Sequence, residues 1–92
     1  MNAVLRELLA VEGQIGLCWL GNDGWLIRGE GKLLATDLDL DRSSRLHPSP
    51  IPTLDLAPVL DVLFVTHEHG DHFGENTARI LAERSACIFV KK

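Results

Sequence analysis

Val62-Leu63-Phe64-Val65-Thr66-His67-Glu68-His69-Gly70-Asp71-His72-Phe73 decides how this chain is read. It opens with an unbroken apolar run, the pattern of a strand buried on both faces. It then changes abruptly to imidazoles and carboxylates. Three of the chain's four histidines fall between 67 and 72, together with Asp71. Imidazole and carboxylate are what zinc and similar divalent ions bind. His67 and His69 stand two residues apart, so on an extended backbone both project to one side and can grip one ion. Gly70 permits a sharp turn, after which Asp71 and His72 can swing toward a second ion. The sequence thus predicts a metal site at the C-terminal end of the Asp61 to Thr66 strand. Glu68 is expected to point away from its flanking histidines, and Phe73 to anchor the loop by packing.

Working outward, Asn76 to Arg84 reads as a helix and Cys87 to Val90 as a last strand. Upstream, Ile15 to Leu20 reads as a strand with Ile15, Leu17 and Trp19 on one face. Trp25 to Arg28 and Leu33 to Asp37 follow after Gly-rich turns, which predicts an antiparallel meander. Asn2 to Glu12 has apolar residues at helical spacing, with Asn2 as N-cap and Gly13 as stop. Residues 39–58 hold all four prolines. That excludes an internal strand or a long helix there and predicts a functional loop or lid.

The motif from His67 to His72 matches the HxHxDH signature of the metallo-β-lactamase superfamily. Trp19-Leu20-Gly21, the Trp25 to Arg28 and Leu33 to Asp37 strands and the Pro-rich loop also resemble its ascorbate-phosphate lactonase-like branch, over residues 14–92. The resemblance implies an α/β (α+β) fold, the αββα sandwich, with residues 1–92 as one N-terminal portion of it: a mixed or antiparallel sheet with flanking helices. It implies that His67 and His69 bind a first metal and that Asp71 and His72 bind a second. Asp71 also takes a catalytic role, orienting the nucleophile. Asp37, at its strand end, is implied to stand beside the site as a hydrogen-bonding group that orients ligands. Asp39 and Asp41 are expected to be solvated loop acids. The implied activity is hydrolysis of a lactone, ester or phosphoester, such as a phosphorylated metabolite. In it, metal-activated hydroxide attacks and the metals hold the developing anion. Zn²⁺ suits the donor set, and Mn²⁺ or Fe²⁺ is compatible with it.

The superfamily uses a further His, a bridging Asp and a final His downstream. After His72 this sequence has neither His nor Asp, and His47 reads as a surface residue. The chain is therefore expected to be a fragment, a truncated product or a half completed by a partner, and to have little hydrolase activity alone. The alternative is a non-enzymatic module that self-associates or completes a partner, with a weak metal site. Half a sandwich leaves one sheet face uncovered, so the chain is expected not to be a monomer, pairing through the face that carries Leu63 or Val65.

Composition narrows the rest. The 92 residues carry a net charge of −4, with 46% hydrophobic and 24% charged residues. This excludes a disordered acidic tail, a coiled coil and a membrane span. The acidic balance argues against a nucleic-acid partner. Cys18 and Cys87 form no disulfide framework and read as small buried thiols of a cytoplasmic protein. Cys18 has no base near it in sequence and is no nucleophile candidate. Gly29-Glu30-Gly31-Lys32 reads as a turn rather than a phosphate loop. Trp19 and Trp25 read as core or interface packing rather than base-stacking platforms.

Overall fold

The computed structural model describes residues 2–21, 24–41, 47–66, 75–84 and 88–91. It is a small α+β domain. Its elements are α1 (Ala3–Leu9), β1 (Gly16–Trp19), β2 (Trp25–Gly29), β3 (Lys32–Thr36), α2 (Thr53–Leu56), β4 (Val62–Val65), α3 (Glu75–Arg84) and β5 (Ile88–Lys91). The five strands form one mixed sheet in the order β1-β2-β3-β4-β5. β1, β2 and β3 are antiparallel neighbours, whereas β3, β4 and β5 run parallel. No helix among the described residues is long and apolar enough to cross a membrane.

Local chemistry explains the meander. β2 and β3 are joined by Glu30-Gly31, with φ of +51° and +74°. Two positive φ values in a two-residue loop match the right-handed twist of the strands it joins, and glycine takes the second at little cost. Asn2 caps α1 as the sequence predicts, its Oδ1 accepting from the Leu5 amide at 3.1 Å. Asn2 Nδ2 also donates to the Pro50 carbonyl at 2.8 Å, tying α1 to the Pro-rich segment. That segment is not structureless, because it contains the single helical turn α2.

Parallel neighbours need a crossover. The chain from β3 to β4 passes through α2, and that from β4 to β5 passes through α3. Leu5 and Leu8 of α1, Leu56 of α2 and Leu81 of α3 join one core cluster with Leu26, Leu33, Ala35, Leu63 and Val65 of the sheet. All three helices therefore lie on one face. Gly16 of β1 lets α1 approach closely: a Cβ there would sit 2.9 Å from Leu8 Cδ1 and 3.1 Å from Val11 Cγ2.

The opposite face is open. Register places Leu17, Ile27, Leu34 and Val62 in one row, and Trp19, Trp25, Thr36 and Phe64 in the next. Two expectations are corrected here. β4 is buried on one face only, since Leu63 and Val65 are buried while Phe64 is exposed. The uncovered face is consequently the one carrying Phe64 and Leu34, not the one carrying Leu63 and Val65. The cause is parity: side chains alternate along a strand, and the helices take only one set.

Candidate functional site

The two parallel strands β3 and β4 end side by side, and their ends are joined by one side chain. The Asp37 amide donates to the Phe64 carbonyl at 2.9 Å, extending the ladder by one step. Asp37 then takes φ of +51°, which Asp tolerates better than most residues, and the chain leaves the sheet. Its carboxylate takes over where the ladder stops. Oδ1 accepts from the Thr66 amide at 2.7 Å, and Oδ2 accepts from the Thr66 hydroxyl at 2.8 Å. Asp37 is only 6% exposed. It thus fixes the backbone of the residue immediately before His67. At the other end of β4, the Leu33 amide donates to Asp61 Oδ2 at 2.8 Å, and the Asp61 amide returns a bond to the Leu33 carbonyl at 2.9 Å. β4 is held against β3 by an aspartate at each end.

Asp37 is thereby placed: it is a buried carboxylate with two partners on Thr66, not an exposed strand-end acid. His67, His69, Asp71 and His72 lie outside the described residues, as do Glu68, Gly70 and Phe73. Among the described residues, no group of three or more His, Cys, Asp or Glu side chains is arranged to hold a metal ion. His47 is exposed, as expected.

The reading of Asp39 as a solvated acid is corrected, whereas Asp41 is exposed as expected and also engaged. Asp39 is buried, only 6% exposed. Asp41 Oδ2 accepts from the Thr53 hydroxyl at 2.7 Å and the Thr77 hydroxyl at 2.6 Å. Thr77 Oγ1 in turn accepts from the Leu40 and Asp41 amides at 2.9 and 3.2 Å. Thr77 is completely buried. One hydroxyl therefore joins the segment leaving β3 to α3, and Asp41 extends the link to α2. A cleft of about 530 Å³ opens beside this junction, lined by Leu40, Asp41, Pro48, Thr53, Ile80 and others. The missed signal is the spacing Asp37-Leu38-Asp39-Leu40-Asp41. Alternate apolar residues directly after a strand mark a segment still packed on the core, and Leu38 and Leu40 are both buried.

The junction yields a direct prediction. Thr77→Val keeps the shape but removes the hydroxyl, leaving the Leu40 and Asp41 amides without this acceptor, while Asp41 Oδ2 keeps the Thr53 hydroxyl. Unmet buried groups cost about 1–3 kcal/mol each, less where water reaches them. We expect Thr77→Val to lose about 2 kcal/mol in urea unfolding, and Thr77→Ser to lose less than half of that. Equal losses would assign the effect to packing instead.

Cys18 is half-buried rather than buried and packs against the core cluster. Burial pushes its thiol pKa up, which suppresses the thiolate and removes it from consideration as a nucleophile. Cys87 lies outside the described residues.

No protein-family model matches the chain, and no curated protein matches it.

Proposed function

We propose that this chain carries the metal-binding part of a cytoplasmic hydrolase of the metallo-β-lactamase type, acting on a lactone, ester or phosphoester. In that reading the α+β domain is one sheet of an αββα sandwich with its helices. The observation that carries the proposal is the Asp37 carboxylate gripping both the amide and the hydroxyl of Thr66. It fixes Thr66, the residue before His67, at the shared C-terminal end of two parallel strands. Open parallel sheets place their ligands at such strand ends.

The donor set fits the group. Three imidazoles and one carboxylate within six residues suit a borderline ion such as Zn²⁺, and Mn²⁺ or Fe²⁺ accepts the same mixture. His67 and His69 would hold a first ion, and Asp71 and His72 a second. A bound divalent ion supplies Lewis acidity, lowering the pKa of water and polarising the substrate oxygen. The chain's own residues do the rest. Asp71 would accept a hydrogen bond from the attacking water and orient it. Asp37, adjacent to β4 in the sheet, positions Thr66, the residue that precedes His67.

The test is zinc binding followed by turnover. Titration calorimetry and elemental analysis of the chain should show bound Zn²⁺ or Mn²⁺, with affinity reduced at least about 100-fold in His67→Ala/His69→Ala. Supplied with the half or partner that completes the ligand set, the chain should then hydrolyse generic lactone or phosphodiester substrates, with turnover lost in His69→Ala. Equal metal affinity in wild type and double variant would remove the metal reading. Metal binding without turnover on any of these substrates would remove the hydrolase.

A further inference from the structure

The span from Asp37 to Asp41 holds residues on both flanks of the stretch that carries the candidate ligands. Its first residue accepts from the Thr66 amide and hydroxyl at 2.7 and 2.8 Å, immediately before His67. Its last two residues donate their amides to Thr77 Oγ1, at 2.9 Å from Leu40 and 3.2 Å from Asp41. Asp41 Oδ2 accepts from the same hydroxyl at 2.6 Å. Thr77 belongs to α3, and His67, His69, Asp71 and His72 all fall in sequence between the two threonines. The span itself is firmly seated. Leu38 and Leu40 are 2% and 7% exposed and join the core cluster. The Thr53 hydroxyl of α2 braces Asp41 from a third side at 2.7 Å.

We propose that Thr77, held by Leu40 and Asp41, is a positioning residue for the candidate metal centre, the counterpart of Asp37 on the other flank. The inference rests on the metal reading above and adds to it the way the fold prepares that site. An ion that binds through several side chains of one short stretch fixes the residues that carry them, and fixing backbone costs conformational entropy. That cost falls when the two ends of the stretch are already held at a set separation. Asp37 holds one end only. α3 also meets the core through Ala78 and Leu81, but apolar contact is non-directional and leaves room for small slides along the helix axis. The three hydrogen bonds of the completely buried Thr77 hydroxyl remove that freedom. Both flanks are thereby referred to one five-residue span, Asp37 to Asp41, and through it to each other.

Zn²⁺ affinity of the chain, measured by competition with a chromophoric chelator, tests it. Thr77→Val should weaken binding about 10-fold, the lower end of what losing a group behind the ligands does, whereas Thr77→Ser, which restores the hydroxyl, should stay within about 2-fold of wild type. Asp61→Ala is the control. It removes the partner of the Leu33 amide at the opposite end of β4, so it weakens the sheet without touching either flank. Its Zn²⁺ affinity should equal that of wild type. All chains are compared at a temperature where far-UV circular dichroism shows them folded. Should Thr77→Val fail to fold, Asp41→Ala takes its place, because the Asp41 side chain is exposed and its loss leaves the core intact. It should weaken binding at least about 3-fold. Wild-type affinity in the folded Thr77→Val or Asp41→Ala chain overturns the proposal, and the metal reading then stands on the loss seen in His67→Ala/His69→Ala. Equal losses in Asp61→Ala and Thr77→Val also overturn it, since they assign the effect to general stability. A wild type that binds no better than His67→Ala/His69→Ala removes the metal reading and this proposal together.

Discussion

Replacing Asp37 by alanine is expected to lower stability by about 3–4 kcal/mol, a large share of what a chain of this size holds. Two effects combine. The carboxylate accepts two hydrogen bonds from Thr66 at 2.7 and 2.8 Å, and bonds to a charged acceptor contribute roughly 1.5–3 kcal/mol each when buried. Thr66 is itself exposed, so water recovers part of the loss after the substitution. Alanine also has to occupy φ of +51°, which costs a residue with an ordinary Cβ about 1–2 kcal/mol. Glycine and asparagine separate these contributions. Asp37→Gly removes the same hydrogen bonds without the backbone strain, so it should be about 1 kcal/mol more stable than Asp37→Ala. Asp37→Asn tolerates the backbone and keeps one acceptor for the Thr66 amide, so it should lose only about 1–2 kcal/mol. Urea unfolding of the three variants measures the series. An alanine variant within 1 kcal/mol of wild type would show that the strand ends do not depend on this clamp.

That prediction concerns a residue whose importance was legible, though its mechanism was not. An aspartate at the end of a strand marks the position, and the resemblance implied that it stands near the His-rich segment. Which atoms it meets depends on β3 and β4 running parallel and side by side. The intervening 25 residues between Thr36 and Val62 carry no pattern that fixes that pairing. The antiparallel half was easier to read. Its turns are short, Gly31 requires a positive φ, and register follows from loop length. Asn2 and the apolar spacing placed α1, though the helix ends at Leu9, before Gly13. Asp39 was misread because charge was taken as a sign of solvent, and Leu38 and Leu40, pulling the same segment into the core, outweighed it. Asp41 is exposed as expected, but its hydrogen bonds to Thr53 and Thr77 were not foreseen. Thr77 carried no sequence signal: a threonine inside an amphipathic helix looks like any other, and only the packing of α3 on the segment after β3 gives its hydroxyl three partners.

The face assignment of β4 was the other place where composition misled, and it gives the second large effect. Val65→Asp should prevent folding or lower the melting temperature by more than 20 °C, whereas Phe64→Asp should leave the monomer fold in place. The run Val62-Leu63-Phe64-Val65 has no polar residue, so hydropathy alone makes all four equivalent. Parity does not. Val65 is 5% exposed and shares the helix-covered cluster with Leu63, Ala35 and Leu81. A carboxylate there forfeits roughly 1.5–3 kcal/mol of apolar burial. It must also enter a dry site unpaired or pick up a proton, which adds several kcal/mol more. The sum meets or exceeds the roughly 5–14 kcal/mol expected of a chain this long at its lower end, and each 1 kcal/mol moves the melting temperature by about 4–8 °C. One residue earlier, Phe64 already meets water on the open face. Aspartate there forgoes strand propensity and some contact with its row, about 1 kcal/mol in all. Far-UV circular dichroism and thermal melts at one low protein concentration compare the two variants. Leu34→Asp, on the same open face of the central strand β3, should follow Phe64→Asp rather than Val65→Asp. A Phe64→Asp chain that unfolds as completely as Val65→Asp would mean that both faces of β4 are essential to the fold of the single chain.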